Sequence, residues 1–370
     1  MSDADLTPLD FALLGHPDGY DHLGELIVHS RPDYDRSKLE KYQATLTKFF
    51  EWSPSYASKT PLVACGPNGE RREGRLVIAT FMPDALNSPR SMMTAYKKTY
   101  AGVALARDRG AKIVGLGGFT SIVGGAQGEK LANELGVATT SGNTLTAGLA
   151  LAQMDALLSR LGWTLAGKTV AIIGASGDIG RACTFALAGR AAKTLVIARN
   201  RAKLEALRAE LPEALDVRVS TDLADALQAE VILAATSASE PILSEAALKP
   251  GTLVFDISYP KNMAYSETPR GDVLVISAGL ADVPFDFDIQ YYTRLPTRTM
   301  LFGCFTETMV LALANRYESF SIGQGQITLE KMAEIVTLAG QFGVKPAPFY
   351  RGDVAIDDGV IEGFLRSVQA

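Results

Sequence analysis

The stretch Thr169-Val-Ala-Ile-Ile-Gly174-Ala-Ser-Gly177-Asp-Ile-Gly180 decides the fold of this chain. It begins with a short apolar, β-branched run that is typical of a buried strand, and a helical pattern follows. Its glycines permit a tight turn and a close approach of the backbone to a ligand, and a helix N-terminus attracts phosphate. The stretch therefore predicts a pyrophosphate-binding loop, with a tight turn that binds nothing as the alternative interpretation.

The same alternation of elements continues around this loop. From Lys168 to about residue 281, short β-branched runs alternate with helical or turn segments, which is typical of a parallel sheet covered on both faces. We therefore expect an α/β fold with a Rossmann-type domain at 163–283. An N-terminal α/β substrate domain is expected at 1–162, beginning with strands and loops to about residue 80. A C-terminal helical segment, 284–370, is expected to pack between these domains or back on them.

The end of the second strand indicates which nucleotide binds. An NAD enzyme would carry a carboxylate there for the ribose 2′-hydroxyl, and this chain has Arg199-Asn200-Arg201 instead. Two guanidinium groups suit the 2′-phosphate of NADP, so the predicted cofactor is NADPH. Residues at the carboxyl ends of later strands should flank the nicotinamide half. The predicted cofactor-binding residues are Gly174, Ser176, Gly177, Asp178, Ile179, Gly180, Arg199, Asn200, Arg201, Thr236 and Tyr259.

Composition and charge argue against several classes of protein. The 370 residues carry a net charge of −5, whereas nucleic-acid-binding domains usually carry a basic excess. No apolar run approaches the roughly 18 residues that cross a bilayer, and the polar N-terminus lacks a signal-peptide pattern, so we expect a cytoplasmic protein. The three histidines fall within the first thirty residues without metal-ligand spacing, so no metal site is predicted.

One of the three cysteines is a candidate nucleophile. Cys65 and Cys183 lie in apolar surroundings and are expected to be small buried side chains. Cys304 lies near the start of a predicted helix, where the helix dipole would favour a thiolate. Such a thiolate could attack a thioester, hold the acyl group and present its carbonyl to a hydride. Core packing of Cys304 is the alternative, and its activator could be the helix terminus, Arg298, Lys261 or an early histidine.

Several segments together resemble the long-chain acyl-[acyl-carrier-protein] reductases known from cyanobacteria. In the family's order they are Leu14-Gly-His16, Leu116-Gly-Gly-Phe-Thr-Ser-Ile122, Thr140-Ser-Gly-Asn-Thr144, the Gly174–Gly180 loop, Ala198-Arg-Asn200, Tyr259-Pro-Lys-Asn262, Phe287-Asp-Ile289, Phe302-Gly-Cys-Phe305 and Gln326-Ile-Thr-Leu-Glu-Lys331. The resemblance implies reduction of fatty acyl thioesters to fatty aldehydes with NADPH, and it implies that Cys304 accepts the acyl group. In one departure, Leu145 stands where the family has a histidine.

Further residues follow from the implied reaction. Ser121, Asn143 and Lys261 are expected to bind the substrate, and helix faces at 92–105 and 300–313 to line an apolar tunnel for the acyl chain. The acyl donor would be a thioester of acyl carrier protein or of coenzyme A, and an aldehyde-consuming enzyme or a membrane surface could be further partners. A basic surface would receive an acidic carrier protein, and its candidate residues are Arg71, Arg72, Arg75, Lys97 and Lys98.

Two other functions stay open at this point. The dinucleotide domain also resembles shikimate dehydrogenase and glutamyl-tRNA reductase, through Asp256-Ile-Ser-Tyr-Pro260. The acidic balance fits poorly with tRNA recognition. A dehydrogenase of a small hydroxy acid, in which Cys304 is inert, is therefore the second candidate. A non-catalytic NADP-binding scaffold is the third.

Overall fold

The computed structural model describes residues 8–83, 86, 88–125, 128–322 and 326–369. Two compact units are present: unit 1 contains Met1–Gly142, Val283–Gln324 and Leu338–Val344, and unit 2 contains Asn143–Asp282, Gly325–Thr337 and Lys345–Ala370.

Short 3₁₀ turns cover Leu223–Gln228 and Glu245–Ala247. The helices and strands in chain order are β1 (Phe11–Gly15), α1 (Tyr20–Ser30), α2 (Ser37–Lys41), α3 (Gln43–Trp52), β2 (Tyr56–Cys65), β3 (Arg71–Ile78), α4 (Pro89–Asp108), β4 (Ile113–Leu116), α5 (Phe119–Gly125), α6 (Gly128–Leu135), β5 (Ala138–Thr140), α7 (Asn143–Leu161), β6 (Thr169–Ile173), α8 (Asp178–Leu187), β7 (Lys193–Ile197), α9 (Arg201–Ala209), β8 (Val217–Ser220), β9 (Val231–Ala234), β10 (Leu243–Ser244), β11 (Leu253–Asp256), β12 (Met263–Ala264), β13 (Leu274–Ser277), β14 (Leu280–Asp282), α10 (Gln290–Thr293), β15 (Met300–Phe302), α11 (Gly303–Leu313), α12 (Leu329–Gln341), β16 (Lys345–Pro346), β17 (Tyr350–Arg351), β18 (Val354–Ala355) and α13 (Asp358–Gln369).

Unit 2 is built on a six-stranded parallel sheet. Its strand order is β13-β11-β9-β6-β7-β8, the order of a Rossmann fold, so the predicted α/β fold of Rossmann type is confirmed. Val170 and Ile172 of β6 pack into one core cluster, and Ala171 and Ile173 pack into another. Because alternate residues of a strand point to opposite faces, both faces of this sheet are buried.

Unit 1 contains a five-stranded sheet in the order β2-β3-β1-β4-β5. The strands β3, β1, β4 and β5 run parallel, and β2 pairs antiparallel with β3 as a hairpin. Helix α4 begins at Pro89, and its N-cap hydroxyl on Ser88 accepts a hydrogen bond from the Ser91 N–H. Its buried residues Ala95 and Val103 share a core cluster with residues of β1 and β4.

Helix α11, which carries Cys304, packs against strand β4 in the same unit. A Cβ atom at Gly115 would lie 2.1 Å from the Thr308 hydroxyl, and one at Gly117 would lie 2.5 Å from the Phe305 ring. The absence of side chains at these two positions therefore lets the first turns of α11 lie close to β4 and the loop after it.

The structure corrects the predicted boundaries in three places. Strands and loops were expected up to about residue 80, but the segment between β1 and β2 contains the helices α1, α2 and α3. The boundary expected at residue 162 falls at Gly142, because α7 buries Ala150, Met154 and Leu157 in the core of unit 2. The C-terminal segment is not a unit of its own, since its parts are divided between the two units. Within the described ranges, no helix is long and apolar enough to span a membrane.

Candidate active site

The glycine loop of unit 2 forms a cradle that any larger side chain would fill. Gly174 follows β6 with a φ angle of +82°, and a Cβ atom there would lie 2.2 Å from the Ala235 carbonyl oxygen. A Cβ atom at Gly180 would lie 2.3 Å from the Gly174 carbonyl oxygen. Both positions therefore require glycine, as the sequence pattern predicted.

The start of α8 completes this cradle. The helix begins at Asp178, and its N-cap residue, Gly177, provides no capping side chain. Ser176, just before Gly177, and Ile179, the second residue of the helix, are both half-buried. The first N–H groups of a helix have no partner within that helix, and the helix dipole is positive at this end. The geometry and charge therefore fit a dinucleotide pyrophosphate.

The residues after β7 fit the predicted ribose phosphate. Asn200 caps α9 by accepting a hydrogen bond from the Lys203 N–H at 3.0 Å, so its side chain has a structural role. Arg201 forms an exposed ion pair with Glu205 at 3.2 Å. Arg199 is exposed at the end of the same strand. An exposed arginine beside a helix N-terminus can bind a phosphate. Of the two arginines, Arg201 is paired with Glu205, whereas Arg199 forms no ion pair within the described part of the chain.

A buried polar cluster lies at the carboxyl ends of β9 and β11. The Asn262 Oδ1 atom accepts hydrogen bonds from the Thr236 hydroxyl at 2.7 Å and the Ser258 hydroxyl at 2.9 Å. The Asn262 side chain is fully buried, and its Nδ2 atom has no hydrogen-bond partner within the described residues. A buried unpaired donor is costly, so this amide is a place where a bound ligand atom can form a hydrogen bond. Thr236 was among the cofactor-binding residues predicted from the sequence. Asn262 was not, although it is the last residue of the Tyr259-Pro-Lys-Asn262 segment.

Lys261 and Asp256 lie in the same cluster. The Lys261 ammonium donates to the Asp256 carbonyl oxygen at 2.9 Å and lies 3.8 Å from the centre of the Tyr259 ring. Burial lowers the pKa of Lys261 to about 8, while the nearby Asp256 carboxylate acts in the opposite direction. Burial raises the pKa of Asp256, although backbone N–H groups of Ser258 and Asn262 donate to it. Lys261 is therefore a proton donor that titrates near neutral pH.

Unit 1 holds Cys304 in the first turn of α11. Its side chain is partly exposed, and its backbone is held tightly, because a Cβ atom at Gly142 would lie 2.1 Å from the Cys304 Cα atom. The backbone N–H groups of Phe305, Cys304 and Gly118 lower the pKa of the thiol and so favour its thiolate form. A partly exposed thiol beside backbone N–H groups is a position that a nucleophilic cysteine can occupy.

Burial acts against the thiolate that the helix start favours. Burial raises the pKa of the Cys304 thiol to about 12, and the negative charge of Glu307 acts in the same direction. The backbone N–H groups at the helix start oppose this change without reversing it. Arg298 does not serve as an activating cation, since it pairs with Asp286 at 2.5 Å on the surface. Cys304 is therefore a thiol at neutral pH until something else removes its proton.

A buried carboxylate lies one turn after Cys304 and was not predicted. Glu307 is fully buried, and its two carboxylate oxygens accept hydrogen bonds from Thr140 at 2.6 Å and Ser321 at 2.9 Å. Both partners are more than ten residues away in sequence, so no local pattern could have indicated the network.

Two of the early histidines lie in the part of unit 1 that surrounds Cys304. His16 accepts a hydrogen bond from the Phe119 N–H at 2.8 Å and also pairs with the Pro17 carbonyl oxygen at 2.8 Å, so both ring nitrogens are occupied. Burial lowers the pKa of His16, which makes it a structural, neutral imidazole. His22 accepts from the Asp18 N–H through Nδ1, and its buried Nε2 atom has no partner among the described residues.

Tyr292 is in contact with both histidines and with the first turn of α11. Its hydroxyl donates to the His16 carbonyl oxygen at 3.2 Å, and its ring lies 5.1 Å from that of His22 and 6.1 Å from that of Phe305. Burial raises the pKa of Tyr292 well above its usual value, and the Asp18 and Cys304 charges add to this effect. Tyr292 is therefore a neutral phenol whose pKa responds to the charge of Cys304. It was not predicted from the sequence.

The remaining predicted residues are distributed as follows. Ser121 donates to the Gly118 carbonyl oxygen at 2.7 Å, so it supports the loop whose N–H group contacts the Cys304 sulfur. Asn143 is half-buried at the first position of α7.

Cys183 is fully buried, as expected, whereas Cys65 is exposed at the end of β2, because the hairpin edge leaves it uncovered.

The expected basic surface is only partly present. Arg75 is buried, and Arg72 donates to the Ala312 carbonyl oxygen and to Asn315. The Lys98 ammonium donates to the Ser53 carbonyl oxygen. Arg75, Arg72 and Lys98 are therefore buried or bonded to other parts of the protein. Of the five residues expected to receive a carrier protein, Arg71 and Lys97 are exposed.

The fold and the comparisons define the class of the protein. The family model for shikimate and quinate 5-dehydrogenases matches residues 155–277, which lie within unit 2 and include the glycine loop. Together with the Rossmann strand order, this match makes the chain an oxidoreductase with a nicotinamide-nucleotide domain. The match does not extend to the unit that contains Cys304.

Similar proteins extend the likeness to the rest of the chain. The long-chain acyl-[acyl-carrier-protein] reductase of Synechococcus elongatus is 29% identical over 350 residues, covering 91% of this chain and 98% of that protein. The predicted resemblance to that family is thereby confirmed. The aminotransferase PigE of a Serratia species is 32% identical over 252 residues, but this chain spans only 29% of its length. The L-tryptophan dehydrogenase of Nostoc punctiforme is 12% identical with a TM-score of 0.34, covering 92% of this chain and 81% of that one.

Proposed function

We propose that the protein reduces long-chain fatty acyl thioesters to fatty aldehydes with NADPH, through an acyl group held on Cys304. The observation that carries this proposal is the setting of Cys304, a partly exposed thiol in the first turn of α11, where the backbone N–H groups of Phe305 and Gly118 favour its thiolate form. The printed name of the Synechococcus elongatus relative, an acyl-[acyl-carrier-protein] reductase, supports the substrate class. The cytoplasm is the proposed location.

Acyl transfer to Cys304 is the first step. The Cys304 sulfur attacks the thioester carbonyl, the bond between that carbonyl carbon and the donor sulfur breaks, and the donor leaves as a free thiol after taking a proton. The thiol proton of Cys304 must leave in the same step, since its pKa is about 12 in the free protein. The backbone N–H groups of Phe305 and Gly118, which favour the thiolate form, stabilise the charge that develops on the sulfur. The proton balance is closed, because one thiol is consumed and another is released.

Reduction of the bound acyl group is the second step. NADPH bound at the glycine loop supplies the hydride. We assign Arg199 to the 2′-phosphate, Gly174, Gly177 and Gly180 to the pyrophosphate, and Thr236 and Tyr259 to the nicotinamide half. The carbonyl carbon is reduced, the carbonyl oxygen takes a proton, and release of the Cys304 thiol yields the aldehyde. Lys261 is assigned to the substrate as a donor to that oxygen, because it retains a proton near neutral pH.

Ser121 of unit 1 and Asn143 of unit 2 have supporting roles in this proposal. Ser121 is assigned to the substrate side of the loop at Gly118, which it supports by donating to the Gly118 carbonyl oxygen. Asn143 is assigned to the substrate through its amide. The donor is a thioester of acyl carrier protein or coenzyme A, and the aldehyde passes to an enzyme that consumes it.

The experiment is intact-protein mass spectrometry with peptide mapping after incubation with palmitoyl thioesters of coenzyme A and of acyl carrier protein, without NADPH. We expect one acyl group on Cys304, which NADPH then releases as hexadecanal. The matched control is Cys65→Ser, which changes an exposed cysteine and should retain the full adduct. Cys304→Ser should lose it.

Failure of the adduct would favour the other functions. A protein that binds NADPH and oxidises a small hydroxy acid, with Cys304→Ser fully active, would be a dehydrogenase of the shikimate type, in line with the match over residues 155–277. A protein that binds NADPH and turns over neither substrate would be a scaffold. Either result overturns the proposal.

A further inference from the structure

Helix α3 of unit 1 has aromatic side chains on the side that points to solvent. Four exposed residues spaced three or four apart lie along this side, and we call them the outer face of α3: Thr45, Lys48, Phe49 and Trp52. Trp52 is 81% exposed and Phe49 is 70% exposed, the two highest values among the exposed large hydrophobic side chains of the described residues. Phe50 is buried on the opposite side, so α3 packs on the rest of unit 1 through that side.

Further aromatic side chains lie next to the outer face. Tyr42 immediately precedes α3, Tyr56 begins β2 shortly after it, and both are exposed. Single exposed apolar side chains are common on protein surfaces, whereas a cluster of them marks a place where another protein or a membrane binds. The exposed rings within residues 42–56 are therefore a candidate interaction surface.

The charge around the outer face is positive, although the whole chain carries a net charge of −5. Residues 41–60 contain three lysines, no arginine and one acidic residue, Glu51. The lysines are Lys41, Lys48 and Lys59. All three are exposed, and none of them forms an ion pair in the described part of the chain. Their positive charge is therefore available to an anionic partner.

The acidic residue of this stretch does not cancel that charge. Glu51 is half-buried and lies within electrostatic range of Lys98 on α4. The Lys98 ammonium donates to the Ser53 carbonyl oxygen at the end of α3. Lys97, the preceding residue of α4, is exposed. Glu51 is therefore offset by Lys98, and the lysines of residues 41–60 stay without an acidic partner.

The composition of this surface fits a lipid bilayer better than an acidic protein. Protein–protein interfaces are enriched in aromatic residues and arginine but depleted in lysine. Helices that lie on anionic membranes combine cationic residues with tryptophan and phenylalanine. A lysine stem can lie along apolar material while its ammonium stays at the headgroups, and tryptophan concentrates at the membrane–water interface. The cations of residues 41–60 are all lysines, and Lys48 shares the outer face with Phe49 and Trp52.

We propose that the outer face of α3 binds the surface of a lipid bilayer that carries anionic headgroups. The rings of Phe49 and Trp52 leave water and enter the boundary between headgroups and acyl chains, and the Lys48 ammonium binds a headgroup phosphate. Burial of one ring strengthens binding about tenfold or more, and each lysine near an anionic surface strengthens it about fivefold. This inference goes beyond the proposed function, because it concerns where the protein is held and not what it converts.

Co-sedimentation with lipid vesicles tests the surface in the full-length protein. Vesicles of phosphatidylcholine are compared with vesicles of equal amounts of phosphatidylcholine and the anionic phosphatidylglycerol. We expect the partition coefficient to be about tenfold or more higher for the anionic vesicles. On these vesicles it should fall about tenfold or more in Trp52→Ser and about fivefold in Lys48→Gln. The matched controls, Val360→Ser and Lys345→Gln, change exposed residues of unit 2 and should bind as the wild type does.

Quenching by lipids that are brominated in their acyl chains tests whether the ring enters the bilayer. The chain has two tryptophans, and Trp163 is half-buried in unit 2. Trp163→Phe therefore leaves Trp52 as the one reporter. Its emission should move to shorter wavelengths on anionic vesicles, and brominated lipid should quench it. If Trp163→Phe melts early, the difference between the wild type and Trp52→Ser gives the same signal.

Several outcomes would overturn the proposal. These are absence of binding to anionic vesicles, binding that Trp52→Ser and Lys48→Gln leave unchanged or that the controls weaken equally, and binding without quenching. If the two variants slow acyl transfer from acyl carrier protein while vesicles are not bound, the surface receives an acidic protein and the proposal also falls. The vesicle measurements need no turnover, so a missing adduct on Cys304 overturns the proposed function and leaves this inference standing.

Discussion

Replacing Glu307 by glutamine should make Cys304 a faster nucleophile. The Glu307 carboxylate accepts hydrogen bonds from Thr140 and Ser321, and its charge raises the pKa of the Cys304 thiol. Glutamine has nearly the same shape, and the Ser321 hydroxyl can accept from its amide, so Glu307→Gln removes the charge and retains the packing.

The expected magnitude follows from the pKa of about 12 and from the helix spacing. At pH 8 about one Cys304 side chain in ten thousand is a thiolate, and this fraction rises tenfold per pH unit. Side chains three residues apart on a helix are roughly 6 Å from each other, so two unit charges interact by about 3 kcal/mol at an effective dielectric constant of 20. Removing the Glu307 charge should therefore lower the pKa of Cys304 by up to about two units.

Alkylation by iodoacetamide between pH 7 and 10, followed by quantification of the Cys304 peptide, measures this change. The wild-type rate constant should rise tenfold per pH unit, and that of Glu307→Gln should be about 10- to 100-fold higher at each pH. Glu318→Gln removes an equal charge from an exposed ion pair and should have no effect. A wild-type rate that is constant below pH 8, or equal rates for the two variants, would refute the reasoning.

Three further variants test separate parts of the structure. Gly142→Ala places a Cβ atom 2.1 Å from a backbone atom at a φ angle of +66°, so it should destabilise the fold by about 3 kcal/mol or more, as measured by urea unfolding. Arg199→Ala should raise the Kd for NADPH about tenfold and leave the Kd for NADH within twofold, since only NADPH carries the 2′-phosphate. Fluorescence titration measures both Kd values, and an equal rise in the two would contradict this assignment. Because the Lys261 pKa is about 8, kcat/KM should fall as pH rises through 8 and the proton is lost, and Lys261→Met should remove that inflection from the pH profile.

The sequence predicted unit 2 well because its strands are buried on both faces. Short runs such as Thr169–Ile173 then stand out as apolar and β-branched, and the glycine loop marks where the helix begins. Helices α1 and α3 were missed for the opposite reason. Helix α3 exposes Phe49 and Trp52 and buries only Phe50, so its apolar residues do not mark one face.

The candidate site was predictable where its residues form local motifs and unpredictable where it depends on distant contacts. Cys304 was found from its position near a helix start and from the family motif around it. Glu307, Tyr292 and Asn262 were not found, because their importance depends on partners that only the fold brings close. The effect of burial on the Cys304 pKa could not be predicted for the same reason, since burial depends on every packed neighbour.

The high pKa of Cys304 and its fixed position have a common structural cause. Helix α11 lies so close to β4 and the following loops that Gly115, Gly117 and Gly142 leave no room for a Cβ atom against it. This packing fixes the backbone of Cys304 and leaves its thiol only partly exposed, and a thiolate would lose solvation there. The backbone N–H groups of Phe305 and Gly118 act in the opposite direction and favour the thiolate. A looser helix would ionise Cys304 more easily but would lose the fixed position of the sulfur relative to these groups. The proposed reaction therefore requires that Cys304 lose its proton when a bound thioester is present to be attacked.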